Sequence, residues 1–196
     1  VAAPSANVSK HTSPVTAMHV YEDLKGKIPL ILDGGKCTGG IESTVLDVTT
    51  DTPIILRSGL VTAEMIKSVV GKCAYSQNKP TDKIRAPGMK YRHYCPKCET
   101  ALFKRDDYKE AQALYDEYVA QGKAPYFMCD GAMENKIRGN VLKLGNTAQE
   151  IASNLYDKLH EGESVADILI AFEVETGSDV DVGIMNRLSK ACKKYE

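Results

Sequence analysis

The sequence predicts an α/β protein, and two observations carry this prediction. Short apolar and β-branched runs alternate with amphipathic helical patterns along most of the 196 residues, which is typical of sheets covered by helices. Residues 77–98, which contain three prolines, interrupt the alternation, so we expect two units joined by a linker. With 43% apolar and 26% charged residues, the composition allows both units a packed core.

The first unit is expected to begin with a helix. Ser13 can cap the N-terminus of a helix and Pro14 fits its first turn, so we expect the helix to begin there and to end at Gly26. Turn residues bound the apolar runs that follow. The predicted elements are a buried strand over 28–32, strands over 44–48 and 54–56, and a helix from the N-cap Thr62 to Val70.

The second unit, residues 99–196, alternates strands and helices regularly. The predicted strands lie over 102–103, 126–129, 141–144 and 168–172, and the helices over 107–121, 146–160 and 182–193. Short connections between such elements predict a small, Rossmann-like parallel α/β domain.

Charge and cysteine content narrow the class of protein. Apolar runs stay shorter than the roughly 18 residues of a membrane span, and no secretory signal opens the chain, so we expect a cytoplasmic protein with reduced cysteines. The first residue is Val1 rather than methionine, which suggests a fragment or a processed chain.

Residues 79–97 carry six basic residues against Asp82 alone, which suits a small polyanion such as a nucleotide, with a solvated linker as the alternative. We expect no stable binding of nucleic acid.

Two segments contain residues suited to binding a polar ligand. Ser5 and Asn7 lie two apart in an extended segment and would project to the same side, although the same residues could form a turn. The segment 33–44 is rich in glycine, which lets backbone amides approach a ligand, although a long hairpin is the alternative. No phosphate-binding P-loop motif is present there.

Arg57 and a cysteine pair are the remaining candidates. Arg57 follows a predicted strand, where a guanidinium can meet a phosphate with two hydrogen bonds, although a surface arginine is more common. Cys95 and Cys98 have the spacing of a zinc knuckle, but no second ligand pair follows. We therefore expect no metal site, and we find no catalytic triad.

Taken together, five segments resemble the threonylcarbamoyl-AMP synthase family in its long, two-domain form. They are APSANVSKHTSP, LILDGG, ESTVLDVT, IILRSG and APGMKYRHYCPK, in this order. The resemblance covers the whole chain. It implies that residues 1–76 are the C-terminal part of a mixed-sheet α/β catalytic domain, residues 77–98 an interdomain linker, and residues 99–196 the smaller C-terminal domain.

The resemblance also implies an activity. The family makes L-threonylcarbamoyladenylate from L-threonine, bicarbonate and ATP, with Mg²⁺ accompanying the nucleotide, and releases pyrophosphate. Partner proteins then transfer the threonylcarbamoyl group to tRNA. By resemblance, Ser5 and Ser43 would bind threonine. The residues that would bind the nucleotide are Asn7, Arg57, Tyr91 and His93, the last two as part of a linker that closes over the site as a lid.

The sequence departs from the family pattern in three ways. The N-terminal half of the catalytic domain, with its Lys-x-Arg pair for ATP, is missing, so we expect this chain alone to be inactive. Val15 stands where the family often has threonine, and Cys95 and Cys98 stand where alanine is usual. The alternative hypothesis is a non-catalytic α/β module, derived from the family, that serves regulation or partner docking.

Overall fold

The computed structural model describes residues 4–9, 11–76 and 95–195, which form a three-stranded and a four-stranded sheet. The elements of the first part are α1 (Ala17–Leu24), β1 (Val45–Asp47), β2 (Ile54–Arg57), α2 (Ala63–Val70) and β3 (Ala74–Tyr75). The elements of the second part are β4 (Glu99–Phe103), α3 (Tyr108–Ala120), β5 (Pro125–Asp130), α4 (Gly131–Glu134), β6 (Val141–Gly145), α5 (Ala148–Val165), β7 (Ile168–Phe172) and α6 (Val180–Ala191).

The smaller sheet is mixed. Strand β2 lies between β1, which is antiparallel to it, and β3, which is parallel to it. The predicted helix after β2 is confirmed. The Thr62 hydroxyl accepts the backbone N–H of Met65, and Gly71 ends the helix with a φ of 78°, a conformation that glycine adopts without strain.

Two predictions for the first part are wrong. Residues 28–32 form no strand, and Leu30 and Leu32 are 71% and 87% exposed, because the described residues place no other strand beside them to take up their backbone hydrogen bonds. The first helix is capped by Thr16, three residues later than Ser13. The Ser13 hydroxyl instead donates to Glu42, 3.1 Å away.

The predicted parallel sheet of the second part is confirmed. Its strand order is β4-β7-β5-β6, and every pairing is parallel. Helix α5 begins with a capping box, in which the Thr147 hydroxyl accepts the Glu150 N–H and the Glu150 carboxylate accepts the Thr147 N–H. The short helix α4 and strand β3 carried too few residues for the sequence pattern to predict them.

Both faces of the parallel sheet are buried. Alternate residues of β7 point to opposite sides, with Leu169 and Ala171 packing on one face and Ile168, Ile170 and Phe172 on the other. Helix α3 covers the face with Phe172, while α5 and α6 cover the face with Leu169.

Two residues of the first part complete this second core. Val15 and Ile41 are buried in the cluster that α5 and α6 form with the sheet. The first 76 residues therefore pack directly against the parallel-sheet unit, and the segments at this contact also line the candidate site.

Candidate functional site

An open cleft of about 590 Å³ lies where the first part of the chain meets α5. One wall is the segment from Ser13 to Val20, which leads into α1, and the opposite wall is the glycine-rich segment from Ile31 to Glu42. Ser5 and Tyr156 of α5 also line the cleft. The cleft thus joins the two segments in which the sequence predicted ligand-binding residues.

The glycine-rich segment has the backbone conformations that its glycines predict. Gly35 and Gly40 have φ values of 86° and 68°, and the Asp33 carboxylate accepts the Gly35 N–H at 2.8 Å. Gly40 lies against the backbone of α5 so closely that a Cβ there would be 2.2 Å from the carbonyl oxygen of Ala152. Only glycine fits at this contact, which fixes the wall of the cleft to the second part of the chain.

Ser5 and Asn7 occupy different places. Ser5 lines the cleft, whereas the Asn7 amide nitrogen donates to the carbonyls of Val8 and His11, at 3.2 and 3.1 Å. The Asn7 side chain therefore stabilises a turn, as in the alternative interpretation of this segment.

Ser43 is hydrogen-bonded to Arg57 and lines a second, smaller cavity. Arg57 Nε and Nη2 donate to the carbonyl oxygen of Ser43, at 3.2 and 3.1 Å. Ser43 lines the cavity of about 400 Å³, and Ile41 lines both this cavity and the larger cleft. The residues predicted to bind substrate thus fall into two groups, one at each cavity, with Ile41 and Glu42 between them. Tyr91 and His93 lie outside the described residues.

The charged residues that the structure describes in the lining of the main cleft are both acidic, Asp33 and Glu42. Lys36 lies nearby, but its ammonium pairs with Asp157 at 2.8 Å. A triphosphate bound here would therefore need basic groups from outside the described lining.

Glu42 is the centre of a hydrogen-bond network that the sequence did not reveal. Its carboxylate accepts the Tyr156 hydroxyl at 3.0 Å, the Ser13 hydroxyl at 3.1 Å and Arg187 Nε at 2.9 Å. The network joins α5, α6 and both walls of the cleft. The sequence contains one signal for this network, because Arg187 lies on the otherwise apolar face of α6, three residues after Ile184 and one before Leu188. A charge at such a position is buried only with a partner.

A second polar cluster lies behind the first wall. The His19 and His160 rings stack with their centroids 4.0 Å apart, and His19 Nε2 is 3.7 Å from Asp157. Burial and the neighbouring His160 lower the pKa of His19, and the charges of Asp157 and Glu22 oppose this change without offsetting it. The structure therefore favours the neutral imidazole of His19.

The cysteine pair shows no convergence of metal ligands. Cys95 Sγ lies 3.6 Å from the carbonyl oxygen of Lys190, and burial raises the pKa of Cys98 to about 11. Within residues 4–9, 11–76 and 95–195, no three histidine, cysteine or acidic side chains are arranged to hold a metal ion.

The fold and the cleft define an α/β protein with a candidate small-molecule site. Two family models match its sequence: "Threonylcarbamoyl-AMP synthase, C-terminal domain" over residues 61–192 and "Telomere recombination" over residues 1–59. The threonylcarbamoyl-AMP synthases of Pyrococcus abyssi and Bacillus subtilis are each 38% identical to it. The alignments cover 97% of this chain but 57% and 56% of those proteins, so the chain spans about half the length of the curated relatives it matches.

A solved structure matches the fold as well. The crystal structure of P. abyssi Sua5 complexed with L-threonine superposes with a TM-score of 0.82 at 36% identity, over 98% of this chain and 59% of that one. The chain belongs to the threonylcarbamoyl-AMP synthase family. Within the part of the chain that the structure describes, no helix is long and apolar enough to span a membrane.

Proposed function

We propose that this chain is part of an ATP-dependent synthase that makes L-threonylcarbamoyladenylate from L-threonine, bicarbonate and ATP, with release of pyrophosphate. The observation that carries the proposal is the cleft between Ser5 and the glycine-rich segment, in a chain of this family. The relative that was crystallised with L-threonine supports threonine as a substrate. The product would serve threonylcarbamoyladenosine modification of tRNA, through transfer proteins in the cytoplasm.

The proposed organisation has three units. Residues 1–76 would be the C-terminal part of the catalytic domain, residues 77–98 the linker, and residues 99–196 the C-terminal α/β domain. The separate mixed and parallel sheets support this division. The shared core at Val15 and Ile41 supports a C-terminal domain that braces the catalytic part.

Threonine would bind through Ser5 and Ser43. Both side chains are exposed hydroxyls, Ser5 in the lining of the main cleft and Ser43 in that of the smaller cavity, and a hydroxyl can donate to a carboxylate or accept from an ammonium group. The acidic Asp33, also in the cleft lining, suits the ammonium end of an amino acid.

The nucleotide would bind through Asn7, Arg57, Tyr91 and His93. The Asn7 amide nitrogen donates within its turn, so we propose a contact through its oxygen. Because the described cleft lining contains no lysine or arginine, the phosphates need Arg57 and the basic stretch 79–97. Mg²⁺ would arrive with ATP. The described residues do not converge on a metal ion, so we assign no step to an ion held by the protein.

Positioning and exclusion of water would supply most of the rate. The product is a labile mixed anhydride, so closure of the linker over the cleft would protect it from hydrolysis. No nucleophilic side chain is required, because bicarbonate, threonine and ATP supply the reacting atoms and the protein holds them in line.

The test follows pyrophosphate release by the longest natural form of the protein that contains these residues. We expect release that depends on both L-threonine and bicarbonate. Ser5→Ala should raise the KM for threonine, and Ser9→Ala, which alters an exposed serine of the same segment, should not. Arg57→Ala should weaken ATP binding by about 1.5–3 kcal/mol, the value of a charge-assisted hydrogen bond.

The 196-residue chain alone is expected to be inactive in the same assay, because the family's Lys-x-Arg pair for ATP would be missing from the site. Threonine-dependent pyrophosphate release by this chain would contradict that expectation. A long form that binds L-threonine without any turnover would contradict the proposed synthase and favour a regulatory module.

A further inference from the structure

Arg187 is the most deeply buried charged side chain that the structure describes, with 1% of its surface exposed. It lies on α6, more than a hundred residues from the acceptors it binds in the first part of the chain. Its Nε donates to the Glu42 carboxylate at 2.9 Å and its Nη2 to the Glu42 carbonyl at 3.3 Å. Its Nη1 donates to the carbonyls of Ser58 and, at 3.3 Å, Gly183.

The acceptors in the first part of the chain are the sequence neighbours of the proposed substrate residues. Glu42 precedes Ser43, and Ser58 follows Arg57. Arg57 is in turn bonded to the Ser43 carbonyl. One guanidinium thus holds both segments that carry the second group of candidate residues.

Tight packing reinforces this junction. A Cβ at Gly59 would be 2.5 Å from the backbone nitrogen of Thr44 and 2.6 Å from the carbonyl oxygen of Glu42. Gly183 of α6 also packs closely on Gly59, since a Cβ at Gly183 would be 3.3 Å from the Gly59 carbonyl oxygen. Small changes in the placement of Glu42 would therefore move Ser43 and Thr44 as well.

The geometry requires arginine. Four hydrogen bonds leave the guanidinium toward three different residues, in a planar arrangement of donors that an ammonium group cannot reproduce. Lysine at the same position would keep the charge, but it could not donate hydrogen bonds in most of these directions.

We propose that Arg187 is a positioning residue, which acts from the C-terminal part of the chain by holding Glu42 and Ser58, and through them Ser43 in its binding position for L-threonine and Arg57 in its binding position for the nucleotide. The inference rests on the proposed function. It gives the C-terminal part a specific task in the site: α6 sets the geometry of a pocket whose proposed substrate contacts all come from other segments.

The first experiment compares Arg187→Lys with Arg138→Lys, a matched change at an exposed arginine, in the longest natural form of the protein. We expect Arg187→Lys to raise the Kd and KM for L-threonine by at least about tenfold, because lysine keeps the charge but loses most of the hydrogen bonds that hold Glu42 and Ser58 in place. Hydrogen exchange should accelerate at residues 41–44 and 57–59 and stay unchanged in β7. Arg138→Lys should change none of these quantities.

A double variant separates positioning from stability. In Glu42→Met/Arg187→Met, the buried charge is removed together with its partner, so the stability lost in Arg187→Met should largely return. A positioning role predicts that the weak threonine binding persists in this stable variant. Recovery of wild-type threonine affinity would overturn the inference, as would an Arg187→Lys protein with unchanged affinity and exchange.

The wild-type protein separates this inference from the proposed function. A wild-type long form that neither binds L-threonine nor releases pyrophosphate would refute the proposed function itself. A wild-type protein that does both, with variants that behave like it, would refute the positioning role of Arg187 alone.

Discussion

Gly40 offers a direct test of how the wall of the cleft is attached to α5, through the variant Gly40→Ala. Its φ of 68° lies in the left-handed region, which costs a residue with a Cβ about 1–2 kcal/mol. The new methyl carbon would also be 2.2 Å from the Ala152 carbonyl oxygen and 2.4 Å from Ser153 Cα. Both are backbone atoms of a helix and cannot rotate away, so overpacking adds about 1–3 kcal/mol. The variant should therefore lose about 2–5 kcal/mol of unfolding free energy.

A matched control isolates the packing contribution. Gly35 has a similar φ of 86°, but nothing lies within 4 Å of its Cβ position. Gly35→Ala should therefore cost only the conformational part, about 1–2 kcal/mol. The assay is urea unfolding at about 25 °C followed by far-ultraviolet circular dichroism, with linear extrapolation to water. Equal losses in the two variants would refute the close contact between Gly40 and α5.

Three further outcomes are expected. Asp130→Asn should cost about 1.5–3 kcal/mol at about pH 7, because the carboxylate loses its charge-assisted bond to Arg105, 2.5 Å away. Burial acts to raise the pKa of Asp130, but Arg105 and two helix N–H groups hold that pKa below its ordinary value. The stabilisation that the Asp130 carboxylate provides is thus present above about pH 4 and lost on acidification. Between about pH 2 and 4, the free energy of unfolding should therefore vary less in the variant than in the wild type. Because the pKa of His19 is lowered, its contribution to the free energy of unfolding is fully present above about pH 6.5 and decreases at lower pH. His19→Gln should therefore make the free energy of unfolding vary less between about pH 7.5 and 5.5. Elemental analysis of protein purified without added metal should find no stoichiometric zinc at residues 95–98, whose cysteine pair lacks a second pair of ligands among the residues that the structure describes.

The parallel sheet could be predicted from the sequence because its signals are local. Each strand is a short apolar run, and the helix after residue 146 begins with a threonine and a glutamate in capping-box spacing. Such patterns depend on residues within one or two turns of each other, so the ends of the predicted elements fall within a few residues of the observed ones.

The segment 28–32 shows the limit of that reasoning. Its composition is that of a buried strand, but a strand exists only with a neighbour that takes up its backbone hydrogen bonds. Nothing in the five residues reports whether that neighbour is present. The exposure of Leu30 and Leu32 thus follows from chain context, which local patterns do not contain.

The candidate site was predicted in part for a similar reason. Ser5 and the glycine-rich segment stand out through residue type and spacing, and both line the cleft. The network at Glu42 depends on Tyr156 and Arg187, which are 114 and 145 positions away. Spacing along the chain does not relate residues so distant, and only the folded arrangement brings their atoms within hydrogen-bonding distance.

The bond between Glu42 and Arg187 also has a consequence for biosynthesis. A ribosome adds about 5–20 residues each second, so Glu42 waits roughly 7–30 s before Arg187 is made. During that interval the two strands near Ser43 and Arg57 can pair, but α6 cannot yet hold them together. The backbone around Glu42 and Ser58 therefore takes its final arrangement only after α6 has left the ribosome, because the Arg187 guanidinium that joins them lies on that helix.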